Sequence, residues 1–221
     1  MSPKLDEEIG KIEELYRAEV SQNRTPEESI LIMFGKLIQV TRILSVSSKA
    51  ESLEKLAECE ELIRQVHAQE KSATVNILGS SSAVGRNWLH AFIRFPSRIE
   101  RIGMMFENIL DAIRIKINEG IPFSDKAQGE MHDILDLLVD LLVNLRDCLV
   151  VTNRVLLSHI GSQCERLNEI VEDARLAHWE RLEAGYCSPQ ANSIFLCILD
   201  SVKIINQYIK NMKDNLLDLA G

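Results

Sequence analysis

The stretch Gly120-Ile121-Pro122-Phe123-Ser124 constrains this chain most, because it stops one helix and starts another near the middle of 221 residues. A glycine and a proline two positions apart end a helical pattern, and the serine opens the next. On either side, apolar residues recur at helical spacing in three long segments. They run over about 25–46, 50–77 and 84–118 before the break, and over about 125–155, 158–184 and 190–219 after it. Three helices on each side, joined by short connections, predict an all-α fold of two antiparallel three-helix bundles side by side. The organisation read from this is an N-terminal helical appendage over 1–24, a first bundle over 25–120 and a second over 121–221. A chain of this length can bury a core as one domain, or as two half-sized units sharing one. Only five prolines and ten glycines are present, so few other breaks compete with this division.

Local signals place the ends. Thr25-Pro26-Glu27-Glu28 is a helix start: Thr25 caps, Pro26 takes the first helical position and Glu28 completes a capping box. Ahead of it, residues 2–20 form a short amphipathic helix with Leu5, Ile9, Ile12, Leu15 and Tyr16 on one stripe. At under ~20 residues such a helix is short for folding alone. It must pack on the bundle or on another chain, which makes it a candidate contact for a homodimer or a partner. Ser47-Ser48, Gly79 to Ser82 and Gly185 to Pro189 mark turns, and Pro96 kinks or divides the third segment. A weak internal repeat lays Glu100 to Asn108 over Lys203 to Asn211, matching Ile102 to Ile205 and Asn108 to Asn211.

The net charge is −8 and the pI near 5.2. A globally acidic surface argues against nucleic acid and anionic membrane as partners. The densest basic run, Arg94, Arg98, Arg101, Arg114 and Lys116, reads as a solvated helix face. The five cysteines (Cys59, Cys148, Cys164, Cys187 and Cys197) are odd in number, irregularly spaced and contain no Cys-x-x-Cys. Cys59, Cys148 and Cys197 fall in apolar stripes and read as small buried hydrophobes. Residues 2–20 are charged and lack the apolar core of a secretory signal. The longest apolar run, Ile134 to Leu157, is broken by Asp136, Asp140, Asn144, Arg146 and Asp147. No membrane insertion is expected, and the compartment expected is the reducing cytoplasm.

One segment carries a more specific signal. In Arg98-Ile99-Glu100-Arg101-Ile102-Gly103-Met104, continuing to Phe106, Asn108 and Ile109, the apolar residues share one helix face, and Glu100 lies one turn from position 104. The segment resembles the Glu-Arg-Ile-Gly-Asp signature of the PhoU family, all-helical proteins of phosphate control. A second stretch, Glu172 to Leu182 followed by Gly185, Cys187 and Pro189, is similar to the entry to that family's last helix. The resemblance covers about residues 26–219. It implies a PhoU-like fold and a cytoplasmic regulator or accessory of phosphate transport. Such a protein acts by binding a phosphate transporter component or a sensor kinase, without catalysis.

The resemblance also implies metal ligands on one helix face, the Glu and the Asp four residues later. Here Glu100 remains, but Met104 stands in place of the Asp. In the second half, Lys203 and Gln207 stand where the two carboxylates would be. A thioether suits a hard cation poorly and a lysine repels it. The expectation is therefore no metal site, no cofactor and no catalytic residue. The carboxylates that could rebuild a site are Glu58, Glu61 and Glu100 in the first half and Glu165, Glu169 and Asp173 in the second; otherwise these form solvated acidic stripes. His67, His90, His132, His159 and His178 are scattered without ligand spacing. Gly79 to Gly85 lacks the lysine and strand of a phosphate loop. Cys164, beside Glu165 and near His159, has no oxyanion donor to make it a nucleophile. The alternatives to a phosphate-transport regulator are a carboxylate-rich metal-binding helical protein and a structural adaptor with no phosphate role.

Overall fold

A computed structural model describes residues 25–47, 52–79, 86–151 and 153–219. The N-terminal helix expected over residues 2–20 lies outside them. Among the described residues the elements are helices, with no strand: α1 (Pro26–Ser47), α2 (Leu53–Gly79), α3 (Arg86–Phe92), α4 (Phe95–Asn118), α5 (Asp125–Val150), α6 (Arg154–Glu183) and α7 (Pro189–Leu219).

The capping box of α1 forms as its residues require. The Glu28 N–H donates to Thr25 Oγ1 at 3.2 Å, and the Thr25 N–H donates to Glu28 Oε2 at 2.8 Å. By length and composition, residues Pro26–Val46 would suffice to cross a membrane. However, Ile30, Met33, Phe34, Leu37, Ile38, Val40 and Leu44 all pack into the core, so α1 is the apolar central helix of a bundle. Pro96 divides the third segment into α3 and α4. It sits in the first turn of α4, where its absent N–H would have had no helical partner. The corner is closed by Trp88 stacked on Phe92 at 4.5 Å, with the Phe95 ring 5.1 Å from Phe92.

One boundary differs from the sequence reading. The helix expected to reach about 155 ends at Val150, and the next begins at Arg154 instead of near Ser158. Asn153 is the cause: its Oδ1 accepts from the N–H groups of Val155 at 2.8 Å and Leu156 at 3.4 Å. The apolar run Val150, Val151, Val155, Leu156 carries helical periodicity across the break and hides it, whereas a side-chain cap stops and restarts the helix.

Helices α4 and α6 both end in Schellman turns. Gly120 takes φ 63° after α4, with the Ile121 N–H on the Lys116 carbonyl at 2.9 Å. Gly185 takes φ 76° after α6, with the Tyr186 N–H on the Arg181 carbonyl at 2.8 Å.

Side-chain pairs give the topology. In the first half α2 runs antiparallel to α1, with Asn76 donating to Ser29 at 3.2 Å near one end and Gln39 facing Glu58 at 3.5 Å near the other. Helix α4 returns antiparallel to α2. In the second half Asn144 of α5 donates to Gln163 of α6 at 2.9 Å, and α7 runs back along α6. The halves meet along two seams. At one, α1 lies against α5 through Ser45, His132 and Asp136. At the other, α4 lies against α7, where Arg98 donates to the Asn211 carbonyl at 3.1 Å. Two antiparallel three-helix bundles thus lie side by side, counting α3 and α4 as one bent helix. Their apolar residues form one continuous core. Phe34, Phe95, Phe106 and Phe195 are fully buried in it, each worth roughly 2–3 kcal/mol over exposure.

Candidate functional site

The signature segment lies on α4, and its apolar frame faces inward: Ile99, Ile102, Phe106 and Ile109 are fully buried. Gly103 brings α2 close. A Cβ there would meet His67 Cε1 and Ile63 Cγ2, both at 3.5 Å. The imidazole of His67 therefore lies over the α4 backbone, between two acids of that helix. Its Nδ1 is 3.5 Å from Glu100 Oε1 and its Nε2 is 3.2 Å from Glu107 Oε1. Met104 points to solvent and is 46 % exposed. Glu58 faces Gln39, while Glu61 is held by Gln65 at 2.7 Å and by Arg64. The hydrogen bond from Gln65, with that from Arg64, keeps the Glu61 carboxyl below its ordinary range.

A bound cation needs several donors converging at about 2.0–2.6 Å. Here the two ring nitrogens face separate carboxylates on opposite sides of the imidazole, and the thioether is turned away. Glu58 and Glu61 are engaged on α1 and on α2 itself. The residues of the first half do not fit the metal that the resemblance implies.

The second half replaces carboxylates with ion pairs. Lys203 Nζ lies 2.5 Å from Glu172 Oε1, and Lys210 Nζ lies 2.9 Å from Glu165 Oε1. Arg175 adds a third rung, 2.5 Å from Asp200. Glu172 is held below the ordinary carboxylate range by the hydrogen bond from Lys203, and Glu165 by that from Lys210. The shift that lays Glu100 over Lys203 also lays Gly103 over Asn206, Met104 over Gln207 and Glu107 over Lys210. The α4 acids that hold an imidazole are thus α7 lysines that hold α6 acids. Asn206 is buried and ties α7 to α6, donating to the Cys164 carbonyl at 2.8 Å and to Asn168 Oδ1 at 2.9 Å. Gln207 donates to Asn211 at 3.0 Å. Glu169 and Asp173 are exposed on α6. A cation here would meet two lysine ammonium groups, so these residues do not fit a metal either. Among the described residues no three His, Cys, Asp or Glu side chains are grouped to hold one.

The His178-to-Pro189 stretch has a packing role. His178 is buried and stacks on Phe195 of α7 at 4.2 Å and 9°, with Phe123 edge-on. Its Nδ1 lies 3.1 Å from Arg181 Nη2, and its Nε2 lies 3.1 Å from Cys187 Sγ. Arg181 in turn grips both oxygens of Glu130 on α5, at 2.9 and 2.6 Å. Burial holds the imidazole below its usual pKa, and the Arg181 charge adds to this against Glu130. The corner between α6 and α7 is thereby locked to α5. No disulfide joins the five cysteines; Cys59 and Cys148 are buried as their apolar stripes require, whereas Cys197, expected to be buried, is exposed on α7 and Cys164 is buried on α6. Burial pushes Cys59 up to about 12 and Cys164 up to about 11. Cys164 thus has no thiolate to offer near neutral pH.

Met104, Lys203 and Gln207 are visible in the sequence, but the groups that answer them are not. His67 has no ligand spacing in the sequence, and nothing in its own helix marks it as lying between Glu100 and Glu107. Glu165 and Glu172 show helical spacing, but their lysine partners lie on another helix.

No protein-family model and no curated protein matches the chain. Solved structures do match in shape. The chain is similar to the phosphate transport system regulatory protein PhoU from Streptococcus pneumoniae, with TM-score 0.77 and 13% identity over 88% of this chain and 93% of that one. A putative PhoU-like phosphate regulatory protein from Shewanella oneidensis MR-1 gives TM-score 0.60 and 11% identity over 89% and 97%. A second PhoU-like protein from the same organism gives 0.59 and 13% over 89% and 97%. The chain has the PhoU-like all-α fold.

Proposed function

We propose that this protein is a noncatalytic, PhoU-like regulator or accessory of phosphate transport that works in the cytoplasm by binding proteins. The partners are a phosphate transporter component, a sensor kinase or both. The observation that carries this reading is the match in shape, over nearly the full length of both chains, to a phosphate transport system regulatory protein. The ion pairs at Lys203 and Lys210 and the outward thioether of Met104 support a second element of the reading: neither signature face binds a metal, and the protein acts through its helix surfaces. The reading is tested by affinity capture of the full chain from phosphate-starved and phosphate-replete cells. A transporter component or a sensor kinase should be enriched in at least one condition. Recovery of neither in both conditions overturns the regulatory reading.

A further inference from the structure

The described fold begins at Thr25, at the end of the bundle that carries the α5–α6 turn. Helices α1 and α5 run antiparallel: Ser45 of α1 lies against His132 of α5, and Arg42, earlier in α1, shares a surface with Val139 and Asp140, later in α5. Following α1 back from Ser45 to Thr25 covers the same axial distance as following α5 from His132 to that turn, because each helix advances about 1.5 Å per residue. At the turn Val150, Val151 and Val155 are 68, 64 and 78 % exposed. On the other side of α1, Leu78 is half exposed, two residues beyond the Asn76 that donates to Ser29. The start of α1 is therefore flanked by exposed apolar side chains. Single exposed apolar residues are ordinary, but three branched ones within six residues of one turn concentrate apolar surface that calls for a cover.

The chain supplies a cover of matching character. Ahead of Thr25 lie 24 residues whose apolar positions Leu5, Ile9, Ile12 and Leu15 repeat at helical spacing. We propose that this N-terminal segment docks on the end of its own bundle, laying that stripe over Val150, Val151 and Val155. Attachment at Thr25, beside the patch, favours the segment of the same chain over that of a second copy. A short tether holds it at an effective concentration on the order of millimolar. Residues 21–24 serve as the connector and reach up to about 14 Å when extended. The inference is independent of whether the protein serves phosphate transport.

Hydrogen exchange on the full chain, read by mass spectrometry, tests it in both directions. Val151→Lys should speed exchange at residues 5–16 at least tenfold. Ile9→Lys with Ile12→Lys should speed exchange at Val151, Val155 and Leu156 by a similar factor. All these substitutions lie outside the described core, so the bundle stays folded. Wild-type protection should not change between about 1 and 100 µM protein, as an intramolecular contact requires. Unchanged exchange in both variants overturns the proposal. Protection that grows with concentration also overturns it, assigning the patch to a second copy.

Discussion

Gly185 and Gly103 lack a side chain for different reasons. Gly185 holds φ 76°, where any other L-residue brings its Cβ against the following carbonyl, and a Cβ there would meet no other atom within 4 Å. The cost of Gly185→Ala is thus a backbone cost, about 1 kcal/mol. Gly103 sits inside α4 with helical backbone, and the Cβ contacts of 3.5 Å to His67 and Ile63 are ordinary packing distances. Gly103→Ala should therefore be neutral or stabilise by up to about 1 kcal/mol, because alanine forms helix better. Urea midpoints should fall for the first variant and hold or rise for the second. A larger loss at 103 than at 185 would show that the His67 ring cannot accept even a methyl group. Sequence alone does not separate these cases: both glycines fall in family-like motifs, and the difference lies in a dihedral angle and a neighbour on another helix.

At the scale of elements, helix starts were legible where their caps are local, as at Thr25 and Glu28. The break between α5 and α6 was not, because Val150, Val151 and Val155 continue the apolar period while a single asparagine ends it. The identities at positions 104, 203 and 207, where the resemblance would place carboxylates, were legible for a similar reason. The answering groups were not, because Glu165, Glu172 and His67 reach those positions only through the register of one helix on another. That register predicts what restored carboxylates would do. Lys203→Glu with Gln207→Asp removes the ammonium that neutralises Glu172 and sets two new acids near it. Without cation the variant should melt below wild type through like-charge repulsion. With Mn²⁺ or Ca²⁺ it should recover, by about 2.7 kcal/mol at a hundredfold excess over Kd. Wild type should not shift with either ion. A cation-dependent rise in the wild-type Tm, or none in the variant, would show that the ion pairs are not what excludes the metal.

At the scale of the whole molecule, the helix break at Gly120 to Ser124 was legible, but the way the helices on its two sides join was not. Apolar faces announce only that they must be covered. The pairing of α1 with α5 and of α4 with α7 merges two sets of helices into one continuous core. The junction is tight. Leu44, Leu56, Ile109, Leu135 and Ile198, drawn from both halves, enclose a cavity of only about 40 Å³, room for one or two waters. Lys116 closes it from α4, its Nζ 4.8 Å from the centre of the Phe123 ring. Unfolding either half alone would expose the seam residues of the other, so neither is expected to melt first. Thermal unfolding should be one transition, with calorimetric and van't Hoff enthalpies in agreement, although 221 residues exceeds the size at which that is routine. Ile198→Ala provides the sharper test. The side chain is 1 % exposed and lies where α1, α4, α5 and α7 meet, so its loss should cost about 2–5 kcal/mol. In a shared core the single transition moves down in temperature as a unit. If it splits in two, with only one part displaced, the halves hold separate cores, and a signal bound at one bundle would not be felt across the seam by the other.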